Sequence, residues 1–293
     1  MFNIFLAVTI TAYLVVATSF SGHLTSECIT LYAHRCLTHS AVTYRSWLKN
    51  TMRFWLWWHA GINCRHWVAV HRYHHSTSDT PLDPHTPTTL GVFCAPPLAH
   101  AKRPLWPLRL ICPQGWGLFW KNFNQYRLAS HNERIINKYG TIPIDWLEKH
   151  FFSRYLRWGP FILLPFTHVF FSGLLLYALG LNVWWALLVG PLTASSILTW
   201  IVLTQSFVNS FGHSATERSP RTNDFSRDLY GSGWKNFVLN FFEAGEQIHH
   251  GHHSNQKNWD FGPHDFGATV IKLLVKLRLA RVKIMPIKNP RPI

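Results

Sequence analysis

Four histidines fall within five residues in Gly245-Glu246-Gln247-Ile248-His249-His250-Gly251-His252-His253. His249, His252 and His253 stand at i, i+3 and i+4, the spacing that stacks side chains on one helix face. Neutral imidazole is the commonest metal ligand, so such a face can hold an ion. The same spacing recurs in His71-Arg72-Tyr73-His74-His75. A looser pair, His34 and His39, sits in His-Arg-Cys-Leu-Thr-His, and Asn209 and His213 form an i, i+4 pair in Phe-Val-Asn-Ser-Phe-Gly-His. Nine histidines and one asparagine are too many for one ion, since even an octahedral site takes about six ligands. Two metals with four or five ligands each is the natural reading. A histidine tag has a similar composition, but a tag sits at a terminus and forty residues follow this run.

The elements that must carry these residues follow from composition. Of 293 residues 47% are hydrophobic, with 15 Trp and 21 Phe, and only 14% are charged, against about 25% in a soluble domain. That combination points to a membrane protein. The formal net charge of +15 suits an acidic membrane surface or an acidic partner. No stretch resembles a nucleic-acid-binding module. Five cysteines without paired spacing do not suggest a disulfide framework. Cys28, Cys36 and Cys64 read as thiols facing lipid or a reducing compartment.

The single domain 1–293 is expected to be all-α, with three spans near residues 4–21, 159–179 and 183–204. The first is an uncharged apolar run of bilayer length, read as an uncleaved anchor whose helix runs on to deliver His34 beyond the membrane. Gly180-Leu181-Asn182 is the turn between the other two, and the last helix continues outward with Asn209 and His213. His168, inside the second span, reads as a packed histidine rather than a further ligand. Trp47 to Trp58 is apolar but interrupted by Lys49, Arg53 and His59. It suits either an interfacial helix with snorkelling cations or a buried helix of the cap. Asp79 to Pro87 is turn chemistry, and irregular loops are expected through Pro96, Pro97, Pro104 and Pro113. Ala268 to Lys283 has the pattern of a basic amphipathic helix, resting on an acidic leaflet or covering the cap.

Charge sets the expected topology. Residues 35–157 carry 16 Lys plus Arg and residues 213–293 carry 12, which together are all 28 in the chain. The positive-inside rule puts both regions in the cytoplasm, with an outside N-terminus. All four histidine clusters then fall on that one side, in a cytosolic helical cap. The basic face, including Lys102, Arg103 and Arg109 with Lys276, Arg278 and Arg281, would steer acidic carriers to it.

These motifs carry a resemblance. His-Arg-Cys-Leu-Thr-His, His-Arg-Tyr-His-His with the following Ser-Asp-Thr-Pro-Leu-Asp-Pro-His, Phe-Val-Asn-Ser-Phe-Gly-His, and Gly-Glu-Gln-Ile-His-His-Gly-His-His, in this order, resemble the integral-membrane acyl-CoA desaturases, of a short bacterial type. The likeness covers about residues 24–266. It implies a dinuclear iron centre held by His34, His39, His71, His74, His75, His213, His249, His252 and His253. Asn209 matches a position that contacts one metal through water. His250 stands where the family usually has asparagine. The implied substrate is a long acyl chain linked to CoA, acyl-carrier protein or phospholipid. The implied location is a bacterial inner membrane, with the catalytic face in the cytoplasm.

Elementary chemistry agrees with an oxidative role. Removing hydrogen from an unactivated alkyl chain needs a strong oxidant, which side chains alone do not offer. A nitrogen shell suits iron, copper or zinc, and zinc has no redox chemistry. Asp79, Asp83 and Glu246 read as partners that orient imidazoles. No cysteine cluster marks a fused redox domain, so the expectation is an external donor of ferredoxin, rubredoxin or cytochrome b5 type, with dioxygen as co-substrate. A hydroxylase or acetylenase of the same architecture is an alternative. So is a metal-binding membrane protein without oxidative chemistry. A transporter, however, would place its polar ligands within the bilayer, and here all the candidates lie beyond the span ends.

Overall fold

A computed structural model of the chain describes residues 4–85, 115–213, 215, 217–229 and 232–283. In the helix that begins at Gly115, side chains are described from Asn122 onward. The stretch through Pro96, Pro97, Pro104 and Pro113, with His100, Lys102, Arg103 and Arg109, lies outside the described residues.

The described chain is mostly helical, with turns and loops between the helices and one short strand pair. Helix α1 (Ile4–Cys28) has no Gly or Pro until Gly22 and continues without a break as a π-helix over Ile29–Thr38. Helix α2 is Ser46–Ala60 and α3 is Cys64–Thr77. The Asn63 side chain accepts from the His66 backbone N–H and so starts α3. Helices α4 (Gly115–Ala129) and α5 (Glu133–Tyr139) follow. A π-turn at Gly159–Leu163 leads into α6 (Leu164–Ala178). Helix α7 is Ala186–Phe211, preceded by a short turn in which Asn182 caps the Trp184 N–H. Helices α8 (Trp234–Glu243), α9 (His249–Ser254) and α10 (Phe266–Lys276) complete the set. Strand β1 (Val42–Tyr44) pairs antiparallel with β2 (Ala280–Val282), with Val42 opposite Val282 and Tyr44 opposite Ala280.

Among the described residues, three helical stretches are long and apolar enough to cross a membrane: Ile4–Thr38, Gly159–Ala178 and Val183–Phe211. They match the three expected spans. The first and third run on past their apolar stretches; those extensions carry His34 and Asn209, and His213 follows two residues after the third ends. Large apolar side chains on these helices point outward, among them Phe20, Phe161, Phe166, Phe170 and Leu187, as suits a lipid solvent. The main core lies beneath the histidines and includes Ile29, Leu56, Val68, Leu164, Ile197 and Ile271.

Two expectations need correction. Arg53 does not snorkel: it is buried, and its Nη1 bonds the Asp145 carboxylate at 2.9 Å, so α2 buries one face in the cap. The basic helix expected to reach Lys283 ends at Lys276. Arg278 is left-handed (φ 58°) and the chain turns into β2. Local amphipathic spacing favours the helix, but a strand partner supplied by Val42–Tyr44 wins.

Candidate metal centre

The nine predicted histidines converge, although they come from four separated segments. Each element contributes by its own geometry. The π-helix carries His34 and ends beside His39. Helix α3 presents His71, His74 and His75 on one face, α7 delivers His213 at its end, and α9 presents His249, His252 and His253. Gly212 is needed for the approach of α9: a Cβ there would lie 2.8 Å from the His249 ring.

The side chains sort into two groups. His34, His39, His71, His75 and His252 form one, and His74, His213, His249 and His253 the other. In each group the candidate ligand atoms lie within 4.8 Å of one another. Consecutive residues divide between them: His75 and His252 belong to the first, His74 and His253 to the second. The imidazoles meet through Nε2. In the first group His34 and His252 are 3.0 Å apart, His71 and His75 3.0 Å, and His75 and His252 2.8 Å. In the second, His213 and His249 are 2.9 Å apart, and His74 and His253 3.4 Å. Imidazole binds a metal at ~2.0–2.1 Å, which places neighbouring nitrogens roughly 2.8–3.4 Å apart around one ion. The pairs above fall within that range.

Carboxylates hold the far side of four rings. The Nδ1 of His34 bonds Glu246, that of His74 bonds Asp83, and that of His213 bonds Asp79, each at 2.8 Å. His253 bonds Asp224 at 2.7 Å. These bonds fix the tautomer and aim Nε2 into the groups. Burial would raise the Asp83 and Glu246 carboxyls, but the imidazole beside each outweighs it and holds both below the usual range. Burial, reinforced by neighbouring imidazoles, pushes His39, His71, His75, His249, His252 and His253 well below 6.5. They are therefore neutral, as metal ligation requires. His74 is the opposite case: burial lowers it, but Asp83, helped by Asp79 and Asp224, raises it above the ordinary value. Buried nitrogens without a partner remain at His39 Nε2 and at Nδ1 of His75, His249 and His252.

An apolar cavity opens on both groups. His34 and His71 of the first and His249 of the second line it, with Asn209 and the apolar walls of Ile29, Trp67, Ile201 and Val202. Asn209 is half-buried there. His168 joins neither group and bonds the Tyr13 hydroxyl at 2.9 Å. His250 also stays out, its Nδ1 lying 2.9 Å from Ser226 Oγ.

A family model for fatty acid desaturases matches residues 10–257. The chain belongs to that family. Among its relatives, Delta-9 acyl-lipid desaturase 2 of Arabidopsis thaliana is 25% identical over 228 residues, 77% of this chain and 59% of that protein. Acyl-CoA C20 Delta5-desaturase of Anemone leveillei is 27% identical over 263 residues, 86% of this chain and 67% of that protein. Delta-9 acyl-lipid desaturase 1 of Arabidopsis thaliana is 22% identical over 276 residues, 90% of this chain and 72% of that protein. The chain thus spans only 59% of the length of the first of these.

The structure also brings in residues that spacing alone did not single out. Asp224 is one, in a loop with no periodic signal. Arg35 is another, wholly buried and bidentate to Asp265 at 2.9 and 3.0 Å. Asp265 also caps α10 by accepting from the Ala268 N–H. Gly245 makes room for the pair, since a Cβ there would lie 2.2 Å from an Asp265 oxygen. Arg72 ties α3 to the carbonyls of Leu37, Thr38, Tyr139 and Thr141. The available signal was the arginine after the first histidine in both His-Arg motifs, which a helix turns away from the ligand face.

Proposed function

We propose that the chain is an oxygen-dependent fatty acyl desaturase that introduces a double bond into a long acyl chain. The observation that carries this reading is the apolar cavity bordered by histidines of both groups. Two iron ions held by the nine histidines would supply, with dioxygen and electrons from an external ferredoxin-, rubredoxin- or cytochrome b5-type donor, the oxidising power that an unactivated methylene demands.

The chain's own residues do the rest. Ile29, Trp67, Ile201 and Val202 bind the acyl chain by burying it and excluding water. Asp79, Asp83, Asp224 and Glu246 hold the four imidazoles in the tautomer that leaves Nε2 free to ligate. Asn209, one turn before His213 and lining the cavity, would contact one of the two metals through a water molecule. The basic cap faces the cytoplasm, in keeping with the positive-inside rule, and a bacterial inner membrane is the proposed location. Relatives named for acyl-lipid and for acyl-CoA desaturation support an acyl substrate on either carrier.

Fatty-acid profiling of a host expressing the chain, beside a His74→Ala control, tests the reading. The expected result is new monounsaturated acyl chains that the control lacks. Hydroxylated products, or no product from iron-loaded protein supplied with donor and oxygen, would overturn it.

A further inference from the structure

Arg45, Arg278 and Arg281 line one surface notch, at the junction of β1 and β2. The backbone fixes their convergence. The Arg45 N–H donates to the Leu279 carbonyl at 2.9 Å, and Arg45 Nε donates to the Arg278 carbonyl at 3.2 Å. Arg281 is held opposite Thr43 by strand pairing. Among the described residues no carboxylate pairs with any of the three, whereas Arg35 and Arg53 both have one. Three like charges gathered without a counter-ion repel one another, and an anion in the notch would relieve that.

The surroundings identify the anion. Trp47, Leu273 and Leu277 flank the notch in sequence and are all more than half exposed. The Trp55 indole N–H bonds Thr25 near the end of α1. That bond keeps Arg45 within about 15 Å of the first span along α2. Cations beside exposed aromatic and aliphatic side chains, close to a span end, belong at headgroup depth.

We propose that Arg45, Arg278 and Arg281 bind the headgroup phosphate of an anionic phospholipid. Guanidinium forks suit phosphate because they donate in pairs. The site docks the β1–β2 junction, and with it the end of α10, onto the leaflet.

The test titrates phosphatidylglycerol into the detergent-solubilised full chain and counts bound lipid by native mass spectrometry, with parallel arms of coenzyme A and inorganic phosphate. A triple variant, Arg45→Lys, Arg278→Lys and Arg281→Lys, keeps the charge and removes the forks. A triple Gln variant removes both. A charge-matched control is Lys49→Gln, Lys276→Gln and Lys283→Gln. The expected loss is roughly fivefold per neutralised arginine, on the order of a hundredfold for three. The Lys variant should fall between wild type and Gln, and the control should stay near wild type. Lys variants that bind as wild type does would reduce the notch to diffuse charge and overturn the proposal. Tighter capture of coenzyme A than of lipid through these arginines would overturn the lipid assignment. If the Gln variant does not fold, the Lys variant and the control decide the matter.

Discussion

His74 Nδ1 donates to the Asp83 carboxylate across 2.8 Å, and both side chains are wholly buried. The pair orients one ring of the four-histidine group, and Asp83 also accepts from the Asp79 and His85 N–H groups. Asp83→Asn should therefore weaken metal retention about 10- to 100-fold while leaving the nine histidines in place. Chelator competition against purified protein reads this directly, and unchanged retention would remove Asp83 from the orienting role.

The two groups predict about two iron ions per chain. His39→Ala, His74→Ala and His252→Ala should each abolish desaturation and lower the iron content. His168→Ala and His250→Ala should largely keep both, because those rings bond Tyr13 and Ser226 instead. His100→Ala should also keep both. Elemental analysis with product profiling makes the comparison. Equal losses at every position would mean that the grouping carries no functional meaning.

Acid should destabilise the metal-free protein. Six histidines have folded pKa values far below 6.5. The unfolded chain therefore takes up protons first, and stability falls as pH drops below about 6.5. His74 and the buried Glu243 carboxyl oppose this, because their raised pKa values add stability at low pH, but they are two groups against six. Asp83 and Glu246, held below the usual range, add a further loss at lower pH. The Tm in chelator should fall between pH 7.5 and 5.5; a rising Tm would contradict the burial argument.

Breaking the Arg35–Asp265 pair should cost far more than a surface ion pair does. Arg35→Ala leaves a buried carboxylate uncompensated, for which about 3–5 kcal/mol is typical. Arg35→Met with Asp265→Leu should recover part of that loss. Chemical denaturation of the detergent-solubilised protein measures both.

A reporter placed after Ile293 should be cytoplasmic, and one inserted at Leu181-Asn182 should lie on the opposite side. A cytoplasmic signal from the hairpin would overturn the three-span topology.

Much of this molecule was legible in its order of residues. Ligand spacing at His71, His74 and His75, and at His249, His252 and His253, follows from helix geometry alone. The spans follow from length and hydropathy, and the common side of the clusters from where Lys and Arg are absent. Local patterns could not show which ring joins which group. His74 and His75 are adjacent yet serve different groups, because a helix rotates each residue by about 100° and the facing helices claim one ring each. Nor could they show that Asp224 supports His253, that Arg35 spends its charge on Asp265, or that the tail helix stops at Lys276. Each of those depends on a partner distant in sequence. Periodicity reports the face a side chain occupies, and only the packed structure decides what meets that face.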